Sequence, residues 1–152
     1  GKASLIAGVI MISFLFVGQE ILKLIGIDVN SFAVAGSFVL FFIALEMILG
    51  ITLYRDDETN KLTASVFPLA FPLIAGPGSL TTILSIKSEY STENILIAII
   101  VNVLVIFLVL KTSKRIERFI GNNGINIIRK VFGVVLLAIA VKLFATNIKE
   151  LF

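Results

Sequence analysis

The chain has 152 residues, of which 58% are hydrophobic and 15% are charged, whereas soluble domains are about half apolar and about a quarter charged. This composition and the long apolar runs indicate an integral membrane protein rather than a soluble domain. The sequence has no Cys, His or Trp and a net charge of +3, so we expect no thiol chemistry, no metal or cofactor, no imidazole catalysis and no nucleic-acid binding.

Five apolar segments follow one another along the chain. They cover Ala3–Leu22, Phe32–Tyr54, Leu62–Ile86, Ile95–Leu110 and Asn126–Ile148. Each approaches or reaches the roughly 20 residues that an α-helix needs to cross a bilayer core. In the first segment, Glu20 must extend its side chain to the interface. The pattern predicts an all-α fold, a polytopic transmembrane helix bundle.

The basic residues of the loops orient this bundle, because Lys and Arg accumulate on the cytoplasmic side. With five crossings, one side carries Lys2, Arg55, Lys61, Lys111, Lys114, Arg115 and Arg118, and the other carries Lys23, Lys87 and Lys149. We therefore expect a multi-pass protein of the cell (inner) membrane with Gly1 in the cytoplasm and Phe152 outside. The stretch Thr112–Asn123 predicts a short charged helix at the inner interface, and a solvated topology signal is its favoured interpretation.

Segment two resembles segment five in a faint internal repeat. The run Gly26-Ile27-Asp28-Val29, Gly36 and Ile43–Glu46 parallels the run Gly124-Ile125-Asn126-Ile127, Gly133 and Ile139–Lys142. Repeats of three segments have opposite orientations, as in many transporters. We therefore interpret 1–152 as a single transmembrane domain, with 1–54 as the remainder of a first repeat and 62–152 as the second. The counterpart of segment three would be a helix before segment one, which is absent from this sequence, so we expect the chain to be a fragment.

All three prolines, Pro68, Pro72 and Pro77, fall in the third segment, and Gly76 and Gly78 flank the last of them. Proline removes a backbone donor and clashes with the preceding turn, so we expect the helix to break within 67–82 and to restart with Ser79 as its N-cap. The restarted helix presents free N–H groups at the positive end of its dipole. We predict a carboxylate site there, formed by Pro72, Gly76, Pro77, Gly78, Ser79, Thr81 and Thr82.

The alternative for this stretch is a proline-kinked structural helix whose Ser and Thr side chains bond to their own backbone. Glu46 is predicted about 4–5 Å from the centre of segment two, where a carboxylate should face the bundle interior. It could bind a proton or a substrate ammonium, or pair with its repeat counterpart Lys142. Asn102 is a candidate ligand, although an interhelical hydrogen bond is the favoured interpretation. Close helix contacts are expected at Gly36, Gly50 and Gly133.

The stretch "FPLAFPLIAGPGSLTTIL" resembles the signature of the MarC family of bacterial and archaeal membrane proteins. In addition, "FAVAGSFVLFFIALEMILG" resembles the third helix of that family and "GINIIRKVFGVVLLAIAVKLF" its last. The resemblance covers nearly the whole chain and implies six transmembrane segments, the first with a related Asn-Pro motif that has no counterpart here. It places Pro72, Gly76, Pro77 and Gly78 in the motif and carries over no catalytic residue.

The family is grouped with small-solute exporters of the lysine-exporter type, and some members are described as neutral amino acid transporters. The resemblance and the broken helix together predict a secondary transporter or exporter of small solutes, with neutral amino acids as candidate substrates, and not an enzyme. The expected partners are the lipid bilayer and a small-molecule substrate. A homo-oligomer is left open, because the sequence does not give the oligomeric state. A structural or assembly protein without transport is the alternative.

Overall fold

The protein is described by a computed structural model that covers residues 1–51, 70–71 and 73–152. In these ranges all regular structure is helical, which confirms the all-α fold class. The helices are α1 (Lys2–Ile25), α2 (Val29–Leu49), α3 (Pro77–Ile86) and α4 (Thr92–Ile148). By length and composition, α1, α2 and α4 are each able to cross a membrane.

A tight turn joins α1 to α2. The N–H of Ile27 donates to the carbonyl of Leu22 at 2.9 Å. Asp28 then caps α2, since its carboxylate accepts a hydrogen bond from the N–H of Ser31 at 2.9 Å. Residues that cap helix N-termini in this way satisfy one of the free donors of the first turn. The second predicted segment therefore begins at Val29, earlier than expected.

α2 also ends earlier than the predicted Tyr54, which lies outside the described residues. Gly50 adopts φ 69° and ψ 23°, and its N–H donates to the carbonyl of Glu46 at 3.0 Å. Side-chain-bearing residues rarely adopt this left-handed conformation, and glycine does so without a steric penalty. Gly50 was expected to permit a close helix contact. Within residues 1–51, 70–71 and 73–152, a Cβ built there meets no atom within 4 Å, so the described residues show no such contact.

α4 contains 57 residues and is interrupted once, at Gly121, where φ is 75° and ψ is 169°. We call the two parts α4a (92–120) and α4b (122–148). The predicted interface helix Thr112–Asn123 is not a separate element, because its first nine residues continue α4a. Lys and Arg are good helix formers, so the change from apolar to charged residues does not end a helix. The left-handed glycine does.

The two halves of α4 pack on different helices, and glycines set the distances. A Cβ built on Gly8 of α1 would lie 3.1 Å from Cγ2 of Val103 in α4a. A Cβ built on Gly133 of α4b would lie 3.0 Å from Cβ of Met47 and 3.3 Å from the carbonyl oxygen of Ala44, both in α2. The close contact expected at Gly133 is therefore confirmed.

The buried core lies where α1, α3 and α4a meet, and it includes Ala7, Leu15, Leu80, Ile95 and Ile99. The outer faces carry large exposed apolar side chains, among them Leu5, Ile97 and Leu104. An apolar outer face is what a helix presents to lipid, because the hydrocarbon core solvates apolar side chains. The core therefore holds the short helix α3 between two longer helices.

Candidate functional site

The third segment is broken where the prolines and glycines predict it. The N–H of Ala75 donates to the carbonyl of Ala70 at 2.8 Å, a bond that spans five residues instead of the usual four. Such wide turns are typical of local departures from the α-helix. Gly76 is then extended, with φ −93° and ψ 177°, and α3 restarts at Pro77. The break thus lies at Ala75–Gly76.

The N-cap of α3 is Gly76, so the expectation that Ser79 occupies this position is wrong. Pro77 is at the first helical position, where proline is favoured because its φ is already helical and its missing N–H is not needed. Among the described residues, no side chain caps this terminus. The first-turn N–H groups, together with the positive end of the helix dipole, therefore remain suited to an anion.

Ser79 instead connects the two sides of the break. Its hydroxyl donates to the carbonyl oxygen of Ile74 at 2.7 Å, across Ala75 and Gly76. A broken helix leaves carbonyl groups without their usual donors, and a side-chain hydroxyl can satisfy one of them. Ser79 thereby stabilises the interruption from within the same segment.

Pro77 packs directly against α2. A Cβ built on Gly36 would overlap the Cβ and Cγ atoms of the Pro77 ring and would lie 3.2 Å from its Cδ. The close contact expected at Gly36 is therefore confirmed, and its partner is the proline of the break. This contact fixes where α3 begins relative to α2.

The threonines of α3 donate to their own backbone. The hydroxyl of Thr81 donates to the carbonyl of Pro77 at 2.7 Å, and that of Thr82 to the carbonyl of Gly78 at 2.7 Å. Thr81 is only 7% exposed, whereas Thr82 is exposed. Both bonds follow the pattern of the structural alternative for this stretch. Each hydroxyl oxygen keeps capacity to accept a further hydrogen bond.

A cavity of about 360 Å³ opens beside the restarted helix, between α1, α3 and α4a. Its polar lining consists of Gly78, Ser79, Thr82 and Asn102, four of the residues predicted from the sequence. The apolar lining is formed by Met11, Ile74, Ile83, Ile86, Ile95, Ala98, Ile99 and Ile106. The described lining contains no charged side chain.

Asn102 faces this cavity from α4a, and its side-chain amide donates to the carbonyl of Ala98 at 2.9 Å. This bond lies within one helix, so the described contacts do not include the interhelical hydrogen bond that was favoured for Asn102. The side-chain oxygen of the amide is still an acceptor. Asn102 therefore lies where a bound solute would meet it.

Glu46 lies away from the cavity. Because α2 ends at Leu49, Glu46 is in the last turn, roughly 10 Å beyond the helix centre rather than the 4–5 Å predicted. It is half-buried and is not among the described residues that line the cavity. The predicted position near the middle of the helix was wrong because the sequence did not reveal that Gly50 ends it.

The structure does not bring Glu46 and Lys142 together. Phe38 stacks edge-on against Phe144 at 5.6 Å, and Met47 lies beside Gly133. This antiparallel register places Lys142 opposite residues near 40 of α2, roughly 10 Å along the axis from Glu46. The side chain of Lys142 is exposed. Pro72, the remaining predicted site residue, lies outside the described residues, as does Pro68.

Lys87 makes a contact that the sequence did not indicate. Its ammonium group donates to the carbonyl oxygen of Leu15 at 2.8 Å, across 72 positions of the chain. Lys87 follows directly after α3, and Leu15 lies near the middle of α1. The bond ties the C-terminal end of α3 to α1. Its neighbour Ile86 lines the cavity.

The family model described as "MarC family integral membrane protein" matches residues 1–152. The chain is 34% identical to a UPF0056 membrane protein of Buchnera aphidicola subsp. Schizaphis graminum, over 99% of this chain and 74% of that protein. It is 33% identical to a UPF0056 membrane protein of Aquifex aeolicus, over 99% and 75%. It is 31% identical to the UPF0056 membrane protein YhcE of Escherichia coli, over 99% and 75%. No solved structure matches the chain.

Proposed function

Because the chain belongs to the MarC family of integral membrane proteins, we propose that it is a secondary transporter or exporter of small solutes, with neutral amino acids as the substrate class. The observation that carries this proposal is the cavity at the restart of the broken helix. Transporters commonly bind their substrates at discontinuous helices, where half-helix N-termini point at anionic groups. Gly78, Ser79 and Thr82 belong both to the first turns of α3 and to the cavity.

The lining supports a neutral solute with an apolar side chain. A substrate carboxylate would lie against the first turn of α3, where free N–H groups and the helix dipole favour negative charge. Isoleucines and Met11 form the opposite part of the cavity and would contact an aliphatic group. Because the described lining has no carboxylate, a second cationic group on the substrate would find no counter-ion there.

The open space at Gly78 supports access to the backbone. A Cβ built on Gly78 meets no atom of the described residues within 4 Å, in contrast to Gly36 on the facing helix. Glycine allows a ligand to approach the peptide group closely. Alternating access would then move α3 and its repeat relative to the remainder of the domain. Glu46 lies outside the cavity, so its proposed role is ion coupling and not substrate binding.

We place the protein in the cell membrane with residue 1 in the cytoplasm, on the basis of the basic loops. We propose no enzymatic activity. The second candidate function is a structural or assembly protein without transport. The hydrogen bonds from Thr81 and Thr82 to their own backbone favour it, because they occupy hydroxyl protons that could otherwise be donated to a carboxylate.

Replacing Gly78 by Leu tests the proposal. The Cβ of leucine would not clash with the described residues, so the protein should fold. The rest of the side chain would extend into the cavity and should prevent substrate binding. Ala138→Leu is the matched control, because Ala138 is exposed on α4b, away from the cavity. Purified protein in liposomes should take up or exchange neutral amino acids, and Gly78→Leu should abolish this flux while Ala138→Leu retains it. If no amino acid moves, the structural alternative replaces the proposal. If both variants transport equally, the cavity at Gly78 is not the substrate site.

Thermal shifts measure binding independently of flux. Neutral amino acids should raise the melting temperature of the unaltered protein, and the corresponding amines, which lack the carboxylate, should not. Shifts of equal size for acid and amine would show that the α3 terminus does not bind the carboxylate.

A further inference from the structure

The end of α4a carries a basic stripe that the proposed transport function does not use. The stripe consists of Lys111, Lys114, Arg115 and Arg118, which stand at positions i, i+3, i+4 and i+7. Because α4a is continuous from 92 to 120, this spacing places all four on one face, within an arc of about 100°. All four side chains are exposed.

The stripe begins where the apolar part of α4a ends. Leu108 and Val109 are exposed apolar residues, and Lys111 follows within one turn. Lys111 to Arg118 spans roughly 10 Å along the helix axis, which is comparable with the headgroup layer, about 5–8 Å on each side of a bilayer. If α4a crosses the membrane, the stripe lies at the level of the lipid phosphates.

Hollows between these side chains could admit a headgroup. One lies between Leu108, Lys111, Thr112 and Arg115, with a volume of about 340 Å³. A second lies between Lys114, Glu117, Arg118, Gly121 and Asn122, with about 490 Å³. Both are lined by one Lys and one Arg. Glu117 is the carboxylate that lines the second hollow, so the two hollows together have a clear positive excess.

Contacts within the described part of the protein leave the stripe available. The ion pair found there joins Lys23 to Glu20, far from the stripe. Lys111 has its ammonium 5.9 Å from the centre of the Phe107 ring, a contact that leaves its N–H donors free for another acceptor. Phe119 is 93% exposed beside the stripe, as expected of an aromatic side chain at a membrane interface.

We propose that the basic stripe Lys111, Lys114, Arg115 and Arg118 binds the phosphate groups of anionic phospholipids. Arginine offers a planar pair of N–H donors that matches two phosphate oxygens, and lysine adds a flexible point charge. Clusters of four or more basic residues directly beside a transmembrane helix are a recurrent basis for recognition of anionic lipid. The stripe adjoins Gly121, so lipid bound there would lie next to the interruption between α4a and α4b.

Native mass spectrometry of the purified chain tests this proposal. The probes are phosphatidylglycerol and phosphatidylcholine with identical acyl chains, titrated against the protein released from the same detergent. The Arg115→Gln/Arg118→Gln variant should weaken binding of phosphatidylglycerol by roughly 30-fold, since each removed charge costs about fivefold. Binding of phosphatidylcholine should not change. The Lys23→Gln/Lys149→Gln variant removes the same charge elsewhere and should keep the affinity for phosphatidylglycerol.

Arg115→Lys/Arg118→Lys keeps the charge and should retain most of the binding, with the melting temperature of each variant showing that it is folded. Equal affinity for both lipids would overturn the proposal. So would an equal loss in the two Gln variants. Displacement of phosphatidylglycerol by inorganic phosphate at equal concentration would show a free-anion site instead. The stripe could instead bind the acidic run 56–58 of this chain. In that case the Arg115→Gln/Arg118→Gln variant should bind phosphatidylglycerol as the unaltered protein does, and the proposal fails.

Discussion

Gly36 of α2 lies against the ring of Pro77, so closely that a Cβ at position 36 would overlap the proline. Neither residue needs the other for its local conformation. Together they define the place where the broken helix restarts, because the ring fills the space that the glycine leaves open. Helix contacts in membranes rely on such small residues, since close packing replaces the hydrophobic effect there. Pro77 directly precedes Gly78, which lines the cavity beside α3. The contact between Gly36 and Pro77 therefore helps to position this part of the lining.

The contact predicts opposite effects for two glycine substitutions. Gly36→Ala should lower the free energy of unfolding by about 1–3 kcal/mol, as overpacking does. Gly78→Ala should be neutral or should stabilise by up to about 1 kcal/mol, because alanine is the better helix former and Cβ has room. Unfolding of both variants in mixed micelles measures the difference. A stable Gly36→Ala variant with unaltered transport would contradict the contact.

The bridge across the break predicts a difference between two hydroxyl residues. Ser79→Ala should cost about 1–3 kcal/mol, because the carbonyl of Ile74 then loses its donor. Thr82→Val should leave the stability nearly unchanged, since Thr82 is exposed and its bond lies within one helix. It should still weaken substrate binding, because Thr82 lines the cavity. Thermal unfolding and substrate-induced shifts, measured on both variants, separate the two roles.

The hydrogen bond from Lys87 to Leu15 holds the C-terminal end of α3, and the contact of Pro77 with Gly36 holds its N-terminal end. Lys87→Met keeps the length of the side chain and removes the hydrogen bond to the carbonyl of Leu15. We expect a loss of stability of about 1 kcal/mol, at the low end for a charged donor because the side chain is half-exposed. Lys149→Met, at an exposed position, is the control and should have no effect. Equal melting temperatures for the two variants would show that the tether contributes nothing.

The helix cap at Asp28, which lies outside the membrane-spanning segments, should make the stability of the fold depend on pH. Hydrogen bonds from Ser31, from its side chain first and then from its backbone N–H, lower the pKa of Asp28 below its ordinary value of 3.8. A lowered pKa means that the cap stabilises the fold above pH 3.8 and that this contribution is lost as the pH falls further. Asp28→Asn keeps a capping oxygen without a titrating group.

Unfolding of the unaltered protein and of Asp28→Asn between pH 6 and pH 2.5 checks this sign. The stability difference between the two should favour the unaltered protein at the upper end and disappear at the lower end. Glu150→Gln, an exposed change at the other end of the chain, should show the pH profile of the unaltered protein. A constant difference between the unaltered protein and the Asp28→Asn variant across this range would show that the cap is not ionised.

Much of the candidate site was predictable because its chemistry is local. Proline and glycine act on the backbone within one turn, so Pro77, Gly76 and Gly78 indicated the break and the cavity-lining turn without knowledge of any partner. The N-cap was misplaced from Gly76 to Ser79 because serine is a common cap, while proline at the first helical position determined the real start. Glu46 was misplaced because glycine can serve either as a helix contact or as a helix end.

The sequence by itself determined that this is an all-helical membrane protein of the MarC family with a third segment broken near Gly76, because composition, apolar run length and backbone chemistry act locally along the chain. Only the tertiary structure decided that Gly36 receives Pro77 and that Lys87 reaches Leu15. It also decided that Asn102 shares a cavity with Gly78, Ser79 and Thr82, whereas Glu46 lies outside it. These relationships depend on how helices that are far apart in the chain pack against each other, and a local sequence pattern does not specify which residues of two such helices meet.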